Sequence, residues 1–265
     1  MNTKFATSLF IAAAATAGAF SQIAPAAALS ASSSVWDKPQ PTIYSKSQTG
    51  FNDAPYQPFV QQEGVALPNS GQFQLDPIKL GLKYDYNVSA FFINEAALYR
   101  NQLAFTSIGQ TATEDLLFKD ISCLGCVGKG SALQQGDSVK LGEIKGGSQL
   151  DFFLRADGLN RQATANVFGT QTSQNPDGLQ HLVAYGFDKK YLLLGFEDLY
   201  GPKGATGGKN EKSDRDFNDA VFVIDIGEKN VNSLIKPVPE SSVTLSLLGL
   251  GAAGLLLRRR QSKAE

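Results

Sequence analysis

Residues 182–196 read LVAYGFDKKYLLLGF and contain two short apolar runs separated by a charged turn, DKK, at residues 188–190. Each run has the length and the aliphatic and aromatic composition that are typical of buried β-strands. The connection between them is far too short for the crossover helix that a parallel pair requires. This stretch therefore predicts an antiparallel hairpin of two buried strands.

Similar runs recur on both sides of this hairpin. They occupy residues 88–93, 102–108, 150–156 and 220–226. Asp-Gly pairs at residues 157–158 and 177–178 supply turn signals between the runs. A short helix is possible over residues 94–100. We therefore predict an all-β fold, an antiparallel β-sandwich or jelly-roll-like domain over residues 73–236.

Composition narrows the possible functions. The 265 residues carry a formal net charge of −1, which offers no electrostatic reason to expect nucleic-acid binding. One histidine and two cysteines disfavour multi-histidine zinc chemistry and a disulfide-dense scaffold. The hydrophobic fraction of 42% is ordinary for a globular protein. We expect a domain that folds around an apolar core and has no nucleic-acid partner.

The first 28 residues have the three parts of a secretory signal peptide. Lys4 provides the positive charge, an apolar run follows it, and three alanines at residues 26–28 provide the small-residue cleavage pattern. A retained anchor helix is the alternative, but Gln22 and Pro25 interrupt the apolar run early. Residues 29–72 are rich in Ser, Pro and Gln and are predicted to form an extended leader that packs only in part.

Residues 237–265 also have a layout of three parts. The sequence VPE at residues 238–240 precedes an uncharged apolar stretch at residues 241–257, which three arginines follow directly. The stretch is at the short limit of about 17 residues for a transmembrane helix. The arginines favour retention of this helix in the inner membrane, because positively charged flanks stay on the cytoplasmic side. A buried C-terminal helix is the alternative, but it does not explain the arginines.

This tail resembles the PEP-CTERM sorting signal of Gram-negative bacteria, which has a Pro-Glu motif, an apolar helix and an arginine cluster. The resemblance implies an exosortase-like sorting enzyme as a partner, which would cleave near the motif. Ser241 stands where the family usually has a second proline, so cleavage is less firmly implied than membrane arrest.

An acidic segment carries the clearest chemical signal. Two acidic residues follow the strand at residues 191–196, and residues 214–219 read DRDFND. The candidate metal ligands are Glu197, Asp198, Asp214, Asp216, Asn218 and Asp219.

Carboxylates this close in sequence repel one another unless a cation lies among them. Ca²⁺ prefers six to eight oxygen ligands, which an Asp-x-Asp-x-Asn loop can supply, and the lack of His and Cys disfavours zinc. The loop is not an EF-hand, because Asp219 occupies the position of the required glycine. An acidic turn capped by its own side chains and a catalytic carboxylate pair remain as alternatives.

Three segments, residues 177–184, 196–199 and 214–222, resemble a bacterial domain of unknown function, family 4114. The resemblance covers about residues 145–227. That domain is frequent in exported proteins, including those with PEP-CTERM tails, and it has no established activity. The resemblance therefore implies a β-domain with an acidic loop, and calcium remains an inference from the chemistry of the side chains.

Cys123 and Cys126 form a C-x-x-C pair. A redox motif of the thioredoxin kind would begin a helix, and the glycines at positions 128 and 130 oppose a helix here. Two cysteines also cannot complete a tetrahedral zinc site. We therefore favour a local disulfide, as suits an exported protein.

Together these features predict an exported, non-enzymatic protein with a Ca²⁺-binding β-domain. It would be held at the membrane as a precursor and then reside at the cell surface or in the extracellular matrix. The PEP-CTERM resemblance implies exopolysaccharide as a possible partner. The alternative is a carbohydrate-active domain, either a lectin-like module or a glycoside hydrolase that depends on two carboxylates.

Overall fold

The computed structural model describes residues 31–60, 64–67, 73–123 and 131–235. The predicted signal peptide at residues 1–28, the sorting tail at residues 237–265 and its apolar stretch at residues 241–257 lie outside the described residues. Within the described ranges, no helix combines the length and the apolar character that crossing a membrane requires.

Strands make up most of the regular structure. The described chain contains these strands: β1 (Phe73–Leu75), β2 (Gly81–Leu82), β3 (Tyr86–Asn94), β4 (Gln102–Ile108), β5 (Thr113–Phe118), β6 (Ser138–Ile144), β7 (Ser148–Arg155), β8 (Val167–Gly169), β9 (Leu182–Gly186), β10 (Tyr191–Phe196), β11 (Thr206–Gly207), β12 (Asn210–Glu211) and β13 (Ala220–Asp225). Its α-helices are α1 (Lys46–Thr49), α2 (Gly158–Arg161) and α3 (Glu228–Ile235). Short 3-10 turns lie at Ser33–Asp37, Gln57–Phe59, Pro77–Lys79, Gln162–Thr164 and Thr172–Gln174.

The larger strands form two antiparallel sheets. The first sheet has the order β1-β9-β10-β13-β3-β6, and the second has the order β2-β7-β4-β5, with β8 also paired to β7. β11 and β12 form a separate small hairpin. The predicted hairpin is present, because β9 pairs antiparallel with β10 and Leu192 lies opposite Gly186. The predicted all-β antiparallel class is confirmed, and the arrangement is sandwich-like.

A continuous apolar core joins residues of both sheets. Alternate residues of β13 contribute Phe222 and Ile224 to this core, while Val221 and Val223 belong to a second apolar cluster. Side chains of a strand alternate between its two faces, so β13 is covered on both sides. This double coverage explains why residues 220–224 read as an unbroken apolar run rather than as an alternating one.

The N-terminal segment, described over residues 31–60 and 64–67, covers part of both sheets. Val35 and Trp36 pack with Phe153 of the second sheet, and Phe51 stacks on Phe91 of the first sheet with ring centroids 4.1 Å apart. Phe51 also belongs to the cluster that contains the outer residues of β10 and β13. The leader therefore supplies side chains without which the central strands would expose apolar surface to water.

Residues 95–101 are irregular, so the short helix that was possible over residues 94–100 does not form. The side chain of Glu95 is 4% exposed and accepts a hydrogen bond from the Ala97 backbone N–H at 2.9 Å. A local bond between a side chain and the backbone competes with helical hydrogen bonds, which explains the difference.

Cys123 is 4% exposed and disulfide-bonded. Its predicted partner, Cys126, lies outside the described residues. The local Cys123–Cys126 disulfide therefore stays a prediction.

Candidate functional site

The pairing of β10 with β13 brings the acidic residues together. Phe196, the last residue of β10, lies opposite Ala220, the first residue of β13. Residues that follow β10 therefore meet residues that precede β13. The acidic cluster formed in this way comprises Glu197, Asp198, Asp214, Asp216, Asn218 and Asp219, all six of the predicted ligands.

The carboxylates of this cluster form two overlapping groups. The first triad is Glu197, Asp214 and Asp216, and the second triad is Glu197, Asp198 and Asp219. Within each triad, one carboxylate oxygen from each residue lies within 4.8 Å of the others. Glu197 belongs to both triads, so it occupies the centre of the cluster.

Most of the acidic cluster is removed from solvent. Glu197 and Asp216 are 0% exposed, Asn218 is 1% exposed, and Asp198 is 2% exposed. An ionised carboxylate in such a place is strongly unfavourable unless charged or hydrogen-bonding partners compensate for the lost water. The arrangement therefore requires partners for its charges.

Hydrogen bonds provide part of this compensation. Asp216 accepts from the Gly64 backbone N–H at 2.8 Å, from the Asn218 backbone N–H at 3.1 Å and from the Asn218 side-chain amide at 2.8 Å. Asp198 accepts from the Asn101 amide at 2.7 Å. Asp219 accepts from the Asp198 backbone N–H at 2.9 Å.

Two buried oxygens of the cluster lack such a bond. Within the described part of the chain, neither Oε2 of Glu197 nor Oδ1 of Asn218 has a hydrogen-bond partner. Leaving a buried polar atom unpaired costs about 1–3 kcal/mol, so native proteins usually supply a partner from water, an ion or another group. Both atoms are acceptors, and a cation would satisfy both.

The raised pKa values in the second triad also indicate that its carboxylates need a positively charged partner. Burial raises the pKa of Asp198 to about 8, and the negative charges of Glu197, Glu211 and Glu95 add to this increase. The pKa of Asp219 is also well above its ordinary value, because of burial and the neighbouring carboxylates. Burial likewise raises the pKa of Glu197. Without a cation, these groups resist ionisation.

A buried histidine supports the backbone of Glu197. Nδ1 of His181 lies 2.7 Å from the carbonyl oxygen of Glu197, and Nε2 lies 2.9 Å from Oδ2 of Asp177. The ring stacks on Phe168 with centroids 3.6 Å apart. Because the carbonyl can only accept, Nδ1 donates, and His181 thereby ties the turn at Asp177 to the centre of the cluster. This role is structural.

The loop before β13 has an unusual backbone. Arg215 and Phe217 have φ angles of 55° and 63°, in the left-handed region that bulky residues rarely adopt. The carbonyl of Phe217 passes so close to Gly195 that a Cβ there would lie 2.3 Å from this oxygen. The loop can therefore cross β10 only because residue 195 is glycine.

The N-terminal segment closes over the same loop. The Leu67 backbone N–H donates to the Asp216 carbonyl at 2.9 Å, and the Tyr185 hydroxyl donates to the Leu67 carbonyl at 2.7 Å. With the Gly64 bond to the Asp216 carboxylate, these contacts join residues 64–67 to the acidic cluster. Residues 64–67 therefore link the loop at Asp216 to Tyr185 of β9.

Three residues that support the acidic cluster were not predicted from the sequence. Glu95 acts electrostatically on Asp198, Asn101 donates to it, and Asp177 orients His181. Glu95 and Asn101 flank the connection between β3 and β4, far along the chain from the acidic loop. The only local signal was a charged residue, Glu95, at the end of an apolar run. Asp177 lay in a recognised turn, but nothing in the sequence indicated its partner.

The donor set suits a hard cation. Carboxylate and amide oxygens are the ligands that Ca²⁺ prefers, whereas zinc prefers His and Cys. Glu197, Asp214 and Asp216, with Oδ1 of Asn218, could hold such an ion, and so could Glu197, Asp198 and Asp219. The residues present therefore fit calcium.

Comparison with known proteins supports the family resemblance for one part of the chain. The profile of the family described as Domain of unknown function (DUF4114) matches residues 144–227. The match extends from the end of β6 to just beyond β13 and includes the complete acidic cluster. No curated protein gives a significant match, and neither does any solved structure.

The close approach at Gly195 leads to a first prediction. Gly195→Ala should destabilise the domain by about 1–3 kcal/mol, because the added methyl group meets the Phe217 carbonyl and the Leu67 side chain. Gly81→Ala, in β2, is the matched control, because a Cβ there has ordinary contacts of 3.6 Å or more. Denaturant unfolding of both variants measures the difference. Equal stabilities would contradict the packing argument.

The raised pKa of Asp198 leads to a second prediction. A carboxyl group whose pKa is raised by folding stabilises the folded state while it is protonated, and this contribution is lost as pH rises through the folded pKa. In EDTA, the melting temperature should therefore fall between about pH 7 and about pH 9, because Asp198 titrates near 8. In the Asp198→Asn variant, the melting temperature should fall less over the same pH range.

Asp151→Asn is the control for this experiment. Asp151 is also buried, but its pKa is raised only to about 6, so its contribution is lost before the measured range. Thermal melts of the three proteins across the range compare the slopes. A wild-type melting temperature that rises with pH in EDTA would refute the assignment of Asp198.

Proposed function

We propose that this chain is an exported, non-enzymatic protein of the cell surface or extracellular matrix whose β-domain binds Ca²⁺. The observation that carries the proposal is a pair of buried acceptor oxygens among closely spaced carboxylates, Oε2 of Glu197 and Oδ1 of Asn218, which have no partner among the described residues. A divalent cation compensates both for the missing hydrogen bonds and for the mutual repulsion of the carboxylates.

Burial favours a structural ion over a catalytic pair. A glycoside hydrolase needs two carboxyl groups that reach the sugar from opposite sides of a cleft. Glu197 and Asp216 are both 0% exposed, and residues 64–67 lie against Asp216. A small ion can reach such a place during brief openings of the loop, whereas a sugar ring would require its displacement.

The ion would act as a cross-link between distant parts of the chain. Glu197 extends from β10, Asp216 belongs to the loop before β13, and Gly64 reaches Asp216 from the N-terminal segment. Binding at this junction stabilises the loop, including its left-handed residues, and holds residues 64–67 in place. Extracellular calcium-binding modules commonly have dissociation constants of about 10⁻⁴–10⁻³ M, which suits an exported protein.

Export and sorting form the second part of the proposal, and their support comes from the sequence. Residues 1–28 would direct secretion, and residues 237–265 would hold the precursor in the inner membrane for an exosortase-like enzyme. The partner of the released domain would then be a component of the exterior, such as exopolysaccharide.

A third prediction tests calcium binding. In the full-length wild-type protein, millimolar calcium should raise the melting temperature relative to EDTA. A ligand at ten times its dissociation constant stabilises by about 1.4 kcal/mol, which corresponds to about 3–6 °C for a domain of this size. Asp216→Asn should reduce this increase, because it removes a charged ligand of the first triad.

Asp151→Asn again serves as the control, because it removes a buried carboxylate outside the acidic cluster. It should retain the full calcium response. If wild-type protein melts at the same temperature in EDTA and in millimolar calcium, the carboxylates form only a capped acidic turn and the proposal fails.

A fourth prediction tests the sorting tail. The full chain should fractionate with the membrane, and deletion of residues 239–265 should release the protein, because the deletion removes the apolar stretch and the arginines together. Deletion of residues 261–265 alone is the control and should leave the protein in the membrane fraction. Membrane extraction followed by immunoblotting measures both. A full-length precursor found entirely in the soluble fraction would refute this function of the tail.

A further inference from the structure

We propose that the acidic cluster holds two Ca²⁺ ions side by side, bridged by the carboxylate of Glu197. This inference rests on the calcium binding proposed above and adds the number and arrangement of the ions. One ion would lie in the first triad, with Asp214 and Asp216, and the other would lie in the second triad, with Asp198 and Asp219.

The spacing of the oxygens supports this arrangement. Calcium–oxygen distances are about 2.3–2.6 Å, so two oxygens on one ion lie at most about 5 Å apart. In each triad the three oxygens are within 4.8 Å of one another, which fits one ion. The two groups share only Glu197, and a carboxylate can bridge two ions with one oxygen on each.

The unpartnered oxygens fit the same arrangement. Oε2 of Glu197 has no partner in the described part of the chain and is open to an ion, whereas Oε1 accepts from the Leu199 backbone N–H at a long 3.4 Å. Asn218 donates its side-chain amide to Asp216, and its Oδ1 has no partner in the described part of the chain. In the proposed arrangement, Oδ1 of Asn218 would serve the ion of the first triad as a fourth ligand.

The number of carboxylate charges in the cluster favours two bound ions over one. The two triads contain five carboxylates, and the positive charge of Arg215 acts on Glu197. With Arg215, one Ca²⁺ neutralises three of the five negative charges, and two Ca²⁺ neutralise all five. The charged neighbours of Asp198 and Asp219 that act most strongly on them are all carboxylates. Among the described residues, Asp198 and Asp219 therefore have no strongly acting cationic neighbour, and a second ion would supply one.

The fifth prediction concerns stoichiometry. Full-length protein, stripped with a chelator and dialysed against millimolar calcium, should bind two Ca²⁺ per chain by elemental analysis. Asp214→Asn and Asp219→Asn should each bind one, because each removes a ligand from a different triad. Glu197→Gln should weaken both binding steps at least tenfold in calorimetric titration. Asp151→Asn, the buried control outside the cluster, should bind two.

The outcomes separate this inference from the proposed function. Wild-type protein that binds no calcium refutes both, whereas wild-type protein that binds a single ion refutes the bridged pair and leaves the calcium-binding function intact. Because a variant could fail to fold, wild-type crystals soaked in Tb³⁺ provide a second measurement. Two anomalous peaks on either side of Glu197 are expected, and a single peak would overturn the inference.

Discussion

The antiparallel register of β10 and β13 is the interaction on which the site depends. Every residue from Tyr191 to Phe196 pairs with a residue of β13, and the register ends with Phe196 opposite Ala220. Because the last residue of β10 lies beside the first residue of β13, the side chains that follow β10 and those that precede β13 are forced together. A slip of one residue would turn every apolar side chain of β13 to the other face and separate the carboxylates. The apolar core therefore determines where the charges meet.

Coverage of both faces makes this register stable. The inner residues of β10 and β13 join the core between the sheets, and their outer residues join Phe51, Tyr56 and Leu67. The N-terminal segment thus does for the first sheet what a third layer does in larger domains. The same segment also supplies the Gly64 N–H to Asp216. Packing of the segment and formation of the acidic cluster are consequently coupled, and binding at the cluster should stabilise both.

The acidic loop opposes the stability that the core provides. Together with the residues after β10, it contains buried carboxylates with raised pKa values, residues with left-handed backbone conformations and two acceptor oxygens that have no partner in the described part of the chain. Features of this kind persist when the surrounding structure holds them in place, and they concentrate at functional sites. In this protein the paired ends of β10 and β13, the His181 contact and the Gly195 crossing hold the loop. A bound cation would convert the same repulsion into attraction.

The sequence by itself determined the fold class, because strand runs and short turns are local properties. It predicted the β9–β10 hairpin and the positions of β3, β4, β7 and β13 closely. It also identified the six members of the acidic cluster, since five of them are carboxylates concentrated at residues 197–198 and 214–219. Local patterns did not predict β5, β6 or α3, and the short helix after β3 was wrong because the Glu95 side chain bonds the backbone instead.

Only the tertiary structure decided which charges meet and how they are supported. Glu95, Asn101 and Gly64 reach the cluster from parts of the chain more than 90 residues before Asp198 or Asp216, and no local pattern records such contacts. The grouping into two triads around Glu197 depends on strand register and on the path of the loop over Gly195. Burial of the carboxylates depends on the N-terminal segment, whose composition predicted only partial packing. Sequence patterns report short-range preferences, whereas burial and charge proximity arise from long-range packing.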